Sequence, residues 1–152
     1  MLMKVGIHEG TLVETLVLKR PDYVAWVLTQ TNATAGLQEC RDEAIRLIEK
    51  FDAKPILRKC HRANCPNTAT RYTVYVKDVR TPFCWCSSCD PHRGGAEKGK
   101  LTEIISYKDA LRYVAKTCKG GATNYKALIR AMAITKGLPE RAREADNEAF
   151  FG

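Results

Sequence analysis

Long apolar runs are missing from this chain. No stretch approaches the roughly 18–20 residues needed to cross a bilayer as a helix, so a membrane partner is not expected. The opening residues, Met1 to Gly10, lack the apolar core and small-residue cleavage site of a secretory signal. The expected location is therefore cytoplasmic, where disulfides are rare. Catalytic signatures are also absent: there is no P-loop, HExxH, dinucleotide fingerprint or recognisable Ser/His/Asp set. Acids near the middle of the chain are few (Asp78, Asp90 and Glu97) and in no acid/base arrangement. The expectation is a protein that is not an enzyme. Internal repeats and low-complexity segments are lacking too, and 45% hydrophobic content is ordinary for a globular domain.

Cysteine is what the chain has in quantity. Of seven, Cys60, Cys65, Cys84, Cys86 and Cys89 fall in one short window. An odd total argues against a fully paired disulfide set. Two close pairs separated by about twenty residues match a four-thiolate zinc site, in which each pair flanks a tight turn and the metal joins the turns. Cys60 and Cys65 form the first pair. Cys86 and Cys89 form the second, because their two-residue turn lets both sulfurs converge. Cys84 stays open as a substitute for Cys86, since the two point to the same face if the segment is a strand. Cys86-Ser87-Ser88-Cys89 also has the form of a redox pair, but such pairs open a helix, and Asp90-Pro91 follows at once. Cys40 and Cys118 lie on apolar helix stripes and read as buried core side chains. His61 and His92 adjoin the cluster without ligand spacing.

Charge is uneven along the chain. Residues 1–56 carry 7 basic and 8 acidic side chains, residues 57–100 carry 9 and 3, and residues 101–152 carry 9 and 6. Four thiolates on one Zn²⁺ remove two units of positive charge, which leaves the formal +8 near +6 and the middle still basic. Basicity concentrated in one region suggests an anionic partner, most often nucleic acid. The candidate contacts are Arg58, Lys59 and Arg62 around the first pair, Arg71, Lys77 and Arg80 on the hairpin, and Arg93, Lys98 and Lys100 after the second pair. Tyr72, Tyr75, Phe83 and Trp85 are interleaved with them, with Trp85 the candidate stacking residue and Phe83 and Tyr75 read as packing. Lys108, Arg112 and Lys116 recur every four residues as a basic ridge.

Hydrophobic periodicity places these residues on elements. A short strand is expected around Lys4–Ile7, then a helix capped by Thr11, then a helix opened by Pro21 with Tyr23, Trp26 and Val27 on its inner face. Leu37, Cys40, Ala44, Leu47, Ile48 and Phe51 stripe a longer helix that ends before Pro55. Thr70–Val76 and Pro82–Cys86 read as the strands of a hairpin, with Leu101–Ile105 a further strand. Ser106 with Asp109 forms a capping-box variant, and Gly120-Gly121 separates the last two long helices. The expected fold class is α+β: a helical lobe at 1–55, a zinc-ribbon-like β lobe at 56–100 and a helical lobe at 101–152, able to pack as one domain.

Two resemblances bear on function. Residues 4–30, with Gly6, His8 and Gly10 in register and Pro21-Asp22-Tyr23-Val24-Ala25-Trp26, resemble the small C-terminal module of exodeoxyribonuclease X-like proteins. Ile7 and Glu9 stand where that module has lysines, so a DNA contact made by those lysines does not carry over. No exonuclease domain accompanies the module, and nuclease activity does not carry over either. Residues 57–92 resemble a zinc ribbon, a module common in nucleic-acid machinery that also serves as a structural staple. The combined expectation is a zinc-binding, nucleic-acid-binding protein in a larger assembly with possible protein partners. The alternative is a protein–protein adapter whose zinc is purely structural.

Overall fold

The computed structural model describes residues 1–75, 78–91 and 101–152; Lys77, His92, Arg93, Lys98 and Lys100 lie outside the described residues. The fold is α+β, with six helices and a small antiparallel sheet among the described residues. It is organised by α1 (Val13–Lys19), on which Val13, Leu16, Val17 and Leu18 are all buried. These apolar side chains spread around much of the circumference, with Glu14, Thr15 and Lys19 only partly exposed, so α1 must be covered from several sides. The enclosing elements come from both halves of the chain: α2 (Pro21–Leu28) and α3 (Ala35–Ala53) from one, α5 (Ala122–Thr135) and α6 (Glu144–Phe151) from the other. One hydrophobic core therefore serves both helical segments.

Pro21 opens α2, where its fixed φ suits the first helical position. It also has no N–H to offer the carbonyl of Val17 four residues earlier. That buried carbonyl is satisfied from the other end of the chain, by the Tyr107 hydroxyl at 2.8 Å. Tyr107 begins α4 (Tyr107–Thr117), and its own backbone N–H donates to Asp52 Oδ1 at 2.8 Å. Ser106 and Asp109 complete the expected capping box at the same helix end. At the opposite pole, the buried ammonium of Lys136 donates to the carbonyls of Phe51 and Lys54 at 2.9 and 2.8 Å. It thereby caps the C-terminus of α3, where a cation also opposes the helix dipole. Burial lowers the Lys136 pKa, partly offset by the charge of Asp52.

The sheet has the order β2-β1-β3, with β1 (Arg71–Tyr75) between β2 (Phe83–Trp85) and β3 (Leu101–Ile104), both antiparallel to it. Alternation sends Tyr72 and Val74 of β1 into the core and Arg71, Thr73 and Tyr75 to the other face. The Tyr72 hydroxyl shares a 2.6 Å hydrogen bond with Thr135 Oγ1 on α5. The Tyr113 hydroxyl of α4 donates to the Tyr75 carbonyl at 2.7 Å. The sheet is thus tied to both C-terminal helices.

Three local expectations need correction. Lys4–Ile7 is not a strand: Gly6 and Gly10, both at φ +84°, curl this segment into turns, and the extended pairing there is a bridge between Leu2 and Leu12. Thr11 does not cap α1, whose N-cap position is Leu12. Trp26 is 48% exposed, because α2 buries Pro21, Val24 and Val27 instead. Tyr23, between His8 and Trp26, links the three rings at centroid distances of 4.5 and 5.4 Å. No described helix is long and apolar enough to cross a membrane.

Tyr107→Phe tests the tie between the chain's halves. It leaves the Val17 carbonyl buried without a donor, at an expected cost of about 1–3 kcal/mol. A lower urea midpoint with an unchanged m-value is the expected result.

Candidate metal centre

The metal lobe begins where Pro55 stops the helical run. The backbone N–H of Leu57 donates to the Thr135 carbonyl at 2.7 Å, fixing the lobe's entry against the end of α5. A bridge between Lys59 and Thr68 and a bond from Cys60 N–H to the Asn67 carbonyl at 2.9 Å then close the first loop. Inside it Asn64 takes φ +63°, a left-handed conformation that asparagine tolerates better than most residues, and the loop turns back to Cys65. The second loop leaves the end of β2, and Cys89 N–H donates to the Cys86 carbonyl at 3.3 Å. The two loops are stitched directly by His61 N–H to the Cys84 carbonyl at 2.7 Å.

This framework brings the thiols of Cys60, Cys65, Cys86 and Cys89 within 4.8 Å of one another. Cys65 Sγ lies 3.9 Å from Cys86 Sγ and 3.8 Å from Cys89 Sγ. A tetrahedron with Zn–S bonds of about 2.3 Å has edges of roughly 3.8 Å, close to these two separations, so the four thiols are positioned to hold a metal ion such as zinc. A metal held this way has four thiolate ligands and no open coordination position. It supplies folding energy rather than a reactive water.

Cys84 stands apart from this set. It is opposite Tyr72 in the sheet register and packs against the core, and burial pushes its thiol up to about 11. Cys86 lies just past the last residue of β2, where the chain has begun to turn, so the alternation that would pair it with Cys84 no longer applies.

Two polar neighbours approach the sulfurs. Asn67 Nδ2 lies 3.7 Å from Cys86 Sγ, and Arg62 Nη1 lies 3.9 Å from Cys89 Sγ. Donation from the Asn67 amide is the main cause holding Cys86 down to about 6. Cys89 donates to that thiolate and is pushed up to about 11, with Arg62 acting against the rise. The sulfur contact raises the pKa of Arg62 in turn. A zinc ion on four thiolates would leave two negative charges, which Arg62 and the Asn67 amide dipole would help to balance. Asn67 was not singled out from the sequence. Its signal is positional, two residues beyond Cys65 on the strand-like return of the loop.

The candidate nucleic-acid residues fall into separate environments. Arg58, Lys59, Arg80, Lys108 and Lys116 are exposed. Arg62 is exposed but turned toward Cys89. The Arg71 side chain is only 13% exposed, with Nη1 3.9 Å from Asp90 and 3.8 Å from Glu103, so its charge is directed inward. Trp85 is half-buried and donates its indole N–H to Thr73 Oγ1 at 2.7 Å. Tyr72 is fully buried and is removed from any surface set. Arg112 is exposed and paired with Asp109 at 2.8 Å. Lys77 and Arg93 are not among the described residues. His61 packs between Phe83 and Trp85 at centroid distances of 4.8 and 5.2 Å, a packing role for both the histidine and Phe83.

Of the two cysteines read as core, Cys40 is 2% exposed on α3. Cys118 is at the C-cap of α4 and only half-buried, because the helix ends there and the chain turns outward through Lys119 and Gly120.

Purified protein should carry one equivalent of zinc. Cys86→Ser and Cys89→Ser should each lose the metal, whereas Cys84→Ser should retain it; metal analysis by mass spectrometry reads all three. In the zinc-loaded protein, thiol labelling followed by peptide mapping should modify Cys118 well before Cys40. Comparisons with family models, curated proteins and solved structures return no match for this chain.

Proposed function

We propose that this chain is a non-enzymatic, zinc-stapled nucleic-acid-binding protein that acts as part of a larger nucleoprotein assembly. The observation that carries the proposal is electrostatic. The segment holding the four thiolates has 9 basic and 3 acidic side chains, so a bound zinc site with two net negative charges leaves it positive. Arg58 and Lys59, exposed beside the first cysteine loop, are free to meet phosphates. The closed four-thiolate geometry gives the metal no position for substrate, which favours a binding role over a catalytic one.

A second reading, a protein–protein adapter, is favoured by a different observation. Ile7 is 84% exposed, Leu2 54% and Trp26 48%, an unusual display of large apolar side chains near one end of the fold. Salt separates the two readings. If phosphates are the partner, affinity for single- or double-stranded DNA or RNA falls linearly on a log–log plot between about 50 and 200 mM salt, through counterion release. Fluorescence anisotropy of the zinc-loaded protein should show that slope. Absence of binding to all four nucleic acids at the low-salt end would leave the adapter as the better account.

A further inference from the structure

Two cavities share the same two cations on α5. A groove of about 590 Å³ runs between α5 and the Arg80–Pro82 turn, and Arg80, Lys126 and Arg130 line it. A smaller cavity of about 200 Å³ lies against the same Lys126 and Arg130 and is walled further by Lys19 and Arg141. Among the described residues no carboxylate lines the groove, and Glu140 is the one acid in the smaller cavity. Two of these cations are anchored by uncharged groups. Arg130 donates to the Glu140 carbonyl at 2.7 Å, and Lys19 donates to the Ala142 carbonyl at 3.1 Å. Their positions are fixed while their charges stay unneutralised. Lys126 and Arg130 are one helical turn apart, about 6 Å along the axis.

The smaller cavity holds a second kind of group. Asn147 lines it and is 0% exposed; its Nδ2 donates to Thr15 Oγ1 at 3.3 Å, and its Oδ1 has no hydrogen-bond partner among the described residues. A buried acceptor without a donor is costly, so such a group points to a ligand that brings one. A phosphate diester has no hydrogen to give. The amines and hydroxyls of a base or sugar do.

We propose that the two cavities form one track for a single nucleic-acid strand. Its phosphates lie on Arg80, Lys126 and Arg130, and the base or sugar of one unpaired nucleotide meets Asn147. This assignment rests on the nucleic-acid reading above. It extends the contact from the Arg80 turn of the hairpin onto α5, away from the α4 ridge. A cavity of about 200 Å³ can admit one base or sugar but not a duplex.

The test uses the full zinc-loaded chain and a fluorescent single strand of roughly 20 nucleotides, longer than typical single-strand site sizes. Anisotropy is read across a salt series. Arg80→Gln with Lys126→Gln removes two exposed track cations. Lys108→Gln with Lys116→Gln removes two from α4 and serves as the charge-matched control. The track variant should bind about tenfold or more weakly, and its log–log salt slope should shrink by about 1.4. The control should change affinity by less than about threefold. Equal affinities for the two variants, with the parent binding, overturn the track and leave the nucleic-acid reading standing. A parent that binds no nucleic acid at any salt overturns both. Inorganic polyphosphate should compete at least about tenfold less well per phosphate than the strand. Equal competition overturns the role of Asn147 and the strand assignment with it.

Discussion

A short helix whose four apolar side chains are all buried sets the terms for the rest of this molecule. With Val13, Leu16, Val17 and Leu18 all buried, α1 has to be covered from several sides, and only Glu14, Thr15 and Lys19 stay partly exposed. Helices adjacent to it in sequence cover only part of it, and α5 and α6 provide the remainder. The middle of the chain is therefore an excursion from a helical core that closes on both sides of it. Two polar costs of that closure have specific remedies. The Val17 carbonyl orphaned by Pro21 meets Tyr107, and the end of α3 meets Lys136.

The excursion itself is too slight to be stable alone. Its strands are five, three and four residues long, and sheets of this size need a packed face or a covalent or metal staple. It has both. Tyr72 and Val74 press one face onto the helices, and four thiols gather at the far end of the hairpin. The division of labour explains why the cysteines of β2 part company. Cys84 serves the packed face, and Cys86, one step past the strand, serves the thiolate cluster.

Much of this was legible in the sequence, for identifiable reasons. Long amphipathic stripes such as Cys40–Ala44–Leu47–Ile48–Phe51 and the Ser106/Asp109 cap are local signals, and local signals survive folding. The cysteine spacing encodes its own geometry, since a turn of fixed length brings two sulfurs to one point. What could not be read depends on contacts distant in sequence. Trp26 faces outward because α3 and α5 take the other side of α2. Arg71 faces inward because Asp90 and Glu103 meet it there. Lys126 and Arg130 look like an ordinary solvated helix face until the Arg80 turn and the Pro139–Ala142 segment close walls around them.

The same enclosure has a consequence for biosynthesis. On the ribosome α1 emerges well over a hundred residues before α6, one of the helices that covers it. At typical elongation rates that interval is on the order of 10 s. Throughout it the apolar side chains of α1 lack part of their cover. The metal lobe has no such wait, because its four sulfurs all lie between Cys60 and Cys89 and can capture an ion as soon as that stretch is free. Synthesis thus runs against spatial order: the peripheral lobe can mature first, and the centre of the molecule is completed last.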